Sequence, residues 1–217
     1  MEEDMVGRSA LKSTHISKRR SMTSISFKTR RIAALGMLSA AATVLMFLSF
    51  SIPLVPSFLK MDLSELPALL AAFAFGPVSG AIVCLIKNLI NVIFTTTGGV
   101  GELSNFLLGV CFVVPAGWIY TAKKTRRRAC IGSMTGAISM AICSLPINYF
   151  LMYPIYTAFM PMETILNLYR AIDPNVTTLL RALIEFNIPF TLVKALLCTA
   201  ISFAIYKPLS PILKGKR

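Results

Sequence analysis

Asn187, Thr191 and Lys194 fall at i, i+4 and i+7 along an apolar stretch near the C-terminus, so a helix there carries an amide, a hydroxyl and an ammonium on one stripe. A second apolar stretch repeats the theme. Lys87 and Asn91 are four apart, with Asn88 beside them and Thr95 one turn further on, and a third stretch offers Asn148 followed by Tyr149, Phe150 and Tyr153. Groups of this kind on several walls can donate and accept hydrogen bonds across a space lined with apolar and aromatic surface. That chemistry suits a flat, largely apolar organic molecule with a polar edge. The competing role is to hold helices together through interhelical hydrogen bonds. A lysine in the middle of an apolar segment costs roughly 2.5 to 3.5 kcal/mol on insertion scales, so Lys194 must face protein or a cavity.

Other chemistries find no support in the residues. The single histidine, His15, lies in the polar N-terminal region, and Cys84, Cys111, Cys130, Cys143 and Cys198 show no paired spacing. A zinc site, a bis-histidine haem, a disulfide scaffold and a histidine-dependent protease are therefore not expected. No nucleophile, base and orienting group can be assembled from the apolar segments, which argues against an enzyme. Residues 95–101 (TTTGGVG) lack the GK[ST] ending of a phosphate loop and follow no strand. They read as an outer connecting loop. With no ATP site elsewhere, active transport would need energy from another subunit or an ion gradient.

The elements that must position these groups are membrane helices. Of 217 residues, 55% are hydrophobic and 14% charged, and the mean hydropathy is +0.71; soluble domains carry about a quarter charged residues. Net charge is +13, yet 17 of the 22 Lys and Arg lie in three blocks bordering apolar segments, a pattern of membrane orientation rather than of nucleic-acid binding. The apolar segments are 32–52, 62–75, 79–95, 102–121, 129–153 and 177–206. The basic blocks at 1–31, 123–128 and 207–217 belong on the inner side, so an even number of crossings must separate each from the next. This parity makes Gly76-Pro77 a true turn between two short helices and predicts six transmembrane helices with both termini cytoplasmic. The expected organisation is a basic, disordered tail (1–31), an all-α membrane domain for substrate binding (32–206) and a second basic tail (207–217).

Read together, the residues resemble the substrate-binding S components of energy-coupling factor (ECF) vitamin transporters, most closely the riboflavin-specific branch. The resemblance covers roughly residues 31–206. It rests, in order, on residues 33–41 (AALGMLSAA), 59–68 (LKMDLSELPA), 75–77 (FGP), 86–89 (IKNL), 102–107 (ELSNFL), 148–150 (NYF) and 188–194 (IPFTLVK). It implies a six-helix bundle in a bacterial cell membrane, with a vitamin pocket near the outer face capped by the loop after the first helix. Lys194, Asn148, Leu59 and Met61 would meet riboflavin there, with Thr191 standing where riboflavin binders typically carry Asn. Asn91 and Asn187 join them as candidates from their helical stripes.

The resemblance also implies partners: a transmembrane coupling subunit and two ATPase subunits, which consume the ATP while this chain carries no cofactor of its own. Ala33, Gly36 and Ala40 form a small-residue stripe that would let a partner helix approach closely. The alternatives are an S component for another vitamin and an ion-coupled secondary transporter. Inverted repeats or mid-membrane carboxylates would mark the latter.

Overall fold

The computed structural model describes residues 29–95, 98–158 and 160–213, with side chains up to Ile205. The expected tail at 1–31 therefore lies almost wholly outside the described residues, as do the last four residues of the expected tail at 207–217 and Thr96 and Thr97 of the glycine-rich loop. Two compact units divide the chain between Met37 and Leu38. The first contributes the start of helix α1 (Thr29–Phe47); the second holds every element that follows.

Helix α1 stops at Phe47, short of the expected 52, because Pro53 and Pro56 cannot continue a helix and push their predecessors toward extended backbone. The chain instead forms a small antiparallel ladder. Strand β1 (Phe50–Ser51) pairs with β2 (Lys60–Met61) in the register Phe50 to Met61 and Ser51 to Lys60. Helix α2 (Glu65–Phe75) then meets α3 (Pro77–Val92) at Gly76, whose φ of 98° only glycine adopts easily, with Pro77 opening α3. The expected turn is there. At 11 and 16 residues, these helices extend about 16 and 24 Å against a hydrocarbon core of about 30 Å.

Among the described residues, four helical stretches are long and apolar enough to cross a membrane: Thr29–Phe47, Val100–Ala122, Arg126–Tyr156 and Leu179–Ile205. Helix α4 (Val100–Ala122) packs closely on α5 (Arg126–Pro146). A Cβ added at Gly132 or Gly136 would sit 2.7 Å from the carbonyl oxygen of Ala116 or 2.3 Å from that of Phe112. This small-residue spacing is thus consumed inside the fold.

The two rods that carry the candidate amides are not uniform α-helices. Helix α5 passes through a π turn (Ile147–Met152) into α6 (Tyr153–Tyr156), and α8 (Leu179–Ala182) passes through a second (Leu183–Asn187) into α9 (Ile188–Leu213). Each π turn ends two residues before a proline, Pro154 or Pro189. A proline lacks an N–H and crowds the carbonyl four residues back, here Phe150 and Glu185, and the wider register accommodates both defects. Asn148 lies in the first π turn and Asn187 in the second.

Between α6 and α8 runs a short helix, α7 (Met162–Arg170), that hydropathy did not mark. It buries Ile165, Leu166 and Tyr169 on one side, and Ile165 and Tyr169 join a cluster with Val100, Tyr153, Val176 and Leu183. Arg170 fixes the return of the chain, donating to Glu163 at 2.6 Å and to the Val176 carbonyl at 3.1 Å. Helix α9 runs to Leu213, beyond the expected boundary at 206.

Candidate functional site

A cavity of about 250 Å³ lies within the second unit, walled by the end of α1, the segment after it, α3, α4, the first π turn with α6, and α9. Six of the seven expected ligand residues line it: Leu59, Asn91, Asn148, Asn187, Thr191 and Lys194. The seventh, Met61, is buried at 3% exposure, pairs through its backbone with Phe50, and is not on the cavity wall. Ala33, Gly36 and Ala40 of the small-residue stripe are exposed.

The amides are held in defined orientations. Asn148 donates from Nδ2 to the Ser144 carbonyl at 2.8 Å and accepts at Oδ1 from the Ser104 hydroxyl at 3.3 Å. Since Ser104 lines the cavity, Asn148 turns its oxygen to the same side. Thr191 spends its one hydroxyl proton on the carbonyl of Asn187 at 2.6 Å, so toward a ligand it can only accept. Asn91 donates to Glu102 at 3.2 Å, and Thr95 donates to the other oxygen of that carboxylate at 2.8 Å. Aromatic surface separates these polar groups, with Phe58, Tyr156 and Phe190 on the wall.

Lys194 is nearly inaccessible and donates to Asp62 Oδ2 at 2.8 Å. Asp62 accepts from the backbone N–H of Ser64 at 2.9 Å and from its hydroxyl, which also accepts from Lys87. Lys87 in turn donates to Glu65 at 2.7 Å and to Asn105 at 3.1 Å, and Glu65 accepts from the Cys84 thiol at 3.6 Å. Two ammonium groups and two carboxylates thus form one hydrogen-bonded chain without net charge, the condition under which buried ions are tolerable. Lys87 is fully buried and is not on the cavity wall. Its role is to hold α3 to the start of α2. Asn88, bonded to the Cys84 carbonyl at 2.8 Å, is likewise not on the wall.

Asp62 and Glu65 were not among the candidates read from the sequence, so both were missed as partners of the membrane lysines. A signal existed. Each lysine in an apolar segment requires a counter-charge, and Asp62 and Glu65 stand three apart just where an apolar segment begins. Phe58 and Glu102 were missed as wall residues because a loop aromatic and a lone acid carry no period.

Comparisons with known proteins place the chain in a family. Residues 30–206 match the family described as the substrate-specific component of ECF transporters. The riboflavin transporter RibU of Staphylococcus aureus is 35% identical over 185 residues, covering 85% of this chain and 93% of that protein. The riboflavin transporter FmnP of Bacillus subtilis is 28% identical over 193 residues, covering 88% and 97%. A solved structure described as the S component of a bacterial ECF transporter superposes with a TM-score of 0.68 at 34% identity, covering 86% of this chain and 99% of that one. A membrane bundle with a polar-walled cavity, matched by this family over nearly all its described length, belongs to the substrate-specific components of ECF transporters.

Proposed function

We propose that this chain captures riboflavin at the outer face of a bacterial cell membrane and delivers it inward in concert with an ATP-driven coupling module. The observation that carries the reading is the arrangement of oriented groups on separate walls. Asn148 presents an amide oxygen from the first π turn, while Asn187, Thr191 and Lys194 present nitrogen and oxygen atoms from the other rod, and aromatic rings share the wall. The isoalloxazine ring offers carbonyl and ring-nitrogen acceptors to an ammonium and an imide N–H to an amide oxygen. Buried donors and acceptors of this kind discriminate against analogues that leave them unpaired. The similarity to RibU and FmnP supports riboflavin over other vitamins.

In this reading the chain crosses the membrane six times, with α2 and α3 as a short re-folded pair and both termini cytoplasmic. Charge parity supports that count. The basic ends at 1–31 and 207–217 flank a membrane domain at 32–206. The chain performs no chemistry on its ligand and holds no cofactor; a transmembrane coupling subunit and two ATPase subunits supply the energy. An ion-coupled cycle finds no ready carrier in Asp62 or Glu65, since a lysine occupies each.

The test is a titration of the purified chain, without ATP, followed by quenching of flavin fluorescence. Saturable riboflavin binding is expected. Saturation by thiamine or biotin in its place overturns the vitamin assignment while leaving the family intact.

A further inference from the structure

Behind the cavity wall, Tyr169 of α7 is fully buried and is not itself a wall residue. Its hydroxyl donates to Asn187 Oδ1 at 2.8 Å and is hydrogen-bonded to the hydroxyl of Tyr153. Its ring stands edge-on to Phe58 at 5.9 Å and packs against Phe186 at 5.5 Å. One side chain from a short outer helix thus touches the segment after α1, α6 and the second π turn, three parts that bound the cavity.

The proton count in this chain fixes the direction of every bond. An amide oxygen can only accept, so the single Tyr169 proton goes to Asn187, and Tyr153 must then donate to Tyr169. Burial, with Tyr153 alongside, pushes the Tyr169 phenol well above 10, so the O–H donor persists across ordinary pH. Reversing the Asn187 amide would present a second donor to the Tyr169 hydroxyl in place of its acceptor and force the Tyr169 proton onto Tyr153. With its oxygen engaged on Tyr169, Asn187 keeps two Nδ2 protons, of which the neighbouring Tyr153 hydroxyl can take at most one, and Asn187 lines the cavity.

We infer that Tyr169 is a positioning residue that locks the Asn187 amide nitrogen toward the ligand, making Asn187 a hydrogen-bond donor to an acceptor atom of the flavin. The inference rests on the riboflavin reading above. It also makes Asn187 and Asn148 opposite in sense: one rod offers an amide N–H and the other an amide oxygen, so a ligand must present an acceptor to the first and a donor to the second.

The experiment is a double-mutant cycle on the full chain in detergent, read by riboflavin affinity alongside thermal unfolding. A parent that does not bind riboflavin overturns the ligand assignment itself, separately from the role of Tyr169. Given a binding parent, Tyr169→Phe keeps the ring and is expected to weaken riboflavin about 5- to 30-fold, the loss of one buried hydrogen bond and of the amide orientation. In an Asn187→Ala background the same change is expected to alter affinity less than about twofold, because the group it positions is gone. Equal losses in both backgrounds, or parent-like affinity for Tyr169→Phe, assign Tyr169 a packing role and overturn the inference. Should Tyr169→Phe fail to fold, Asn187→Asp decides. It retains an acceptor for Tyr169 but no N–H, so affinity as low as that of Asn187→Ala supports the inference and parent-like affinity overturns it.

Discussion

Lys194 and Asp62 are 132 positions apart in the chain and 2.8 Å apart in the fold. The contact ties the last helix to the segment that follows the first, at the wall of the cavity, and in the proposed function Lys194 has two tasks at once. Its ammonium neutralises a buried carboxylate, and its remaining protons can reach a ligand.

These two functions separate by mutation. Lys194→Ala leaves Asp62 buried without its cation, a loss of the order of 3 to 5 kcal/mol, and is expected to lower thermal stability as well as riboflavin affinity. The double variant Lys194→Met with Asp62→Asn removes both charges. Its unfolding temperature is expected to return close to that of the parent while riboflavin binding stays weakened by at least about 1 kcal/mol, the loss of a charge-assisted hydrogen bond. Recovery of binding together with stability would show that Lys194 serves the fold alone.

Lys87 provides the contrasting case, since it is as buried as Lys194 yet is not on the cavity wall. Lys87→Met alone strands Glu65 and is expected to destabilise the protein strongly. Lys87→Met with Glu65→Gln should recover most of that stability, and its folded fraction should lose less riboflavin affinity than Lys194→Met with Asp62→Asn does, since Lys87 reaches Lys194 only through Ser64 and Asp62. Calorimetry on the detergent-solubilised protein measures both quantities. A large affinity loss in the folded double variant would place Lys87 in the binding machinery.

How far the sequence could be read follows from what periodicity records. Lys194, Thr191 and Asn187 share a helical stripe, and spacing alone brought them to one wall. Gly76-Pro77 was legible as a turn because charge on either side demanded an extra pair of crossings. Asp62 and Tyr169 were not legible, for different reasons. Asp62 reaches Lys194 only through the tertiary path of the chain, and Tyr169 rides on a nine-residue helix too short and too polar to stand out beside membrane segments. Nor does the period of α5 and α9 register their π turns. There the prolines were the available signal, and their effect is to shift Asn148 and Asn187 relative to a plain α-helix rather than to end the rods.

Thr191 tests whether that local geometry sets ligand preference. Its hydroxyl proton is committed to the Asn187 carbonyl, so the group contributes only an acceptor to the cavity. Thr191→Val, which keeps the shape and deletes the hydroxyl, is expected to weaken riboflavin by about 0.5 to 1.5 kcal/mol, the ordinary worth of one neutral hydrogen bond. Thr191→Asn extends the reach and restores a donor, so affinity should match or exceed that of the parent. Fluorescence titrations of the two variants should therefore move in opposite directions or leave Thr191→Asn unchanged; a Thr191→Asn variant weaker than Thr191→Val would mean that the longer amide is not accommodated beside Lys194.

The final prediction concerns delivery. In the proposed function the chain passes its ligand to an energised partner, and close helix approach requires small side chains at the contact. Gly132 and Gly136 are already committed to the backbone of α4, so they cannot serve a partner. Gly36 is different: a Cβ placed there meets no described atom within 4 Å, and Ala33 and Ala40, on the same stripe, are exposed as well. If this stripe is the partner interface, bulk at these positions conflicts with the partner helix. Gly36→Trp and Ala40→Trp are each expected to keep riboflavin affinity and thermal stability near the parent values while abolishing co-purification with the coupling subunit and ATPases and ATP-dependent vitamin uptake. Measuring binding and co-purification on the same preparation makes the outcome decisive. Variants that misfold or lose riboflavin would show that the stripe packs within the bundle, and variants that still assemble and transport would move the partner interface to another helix.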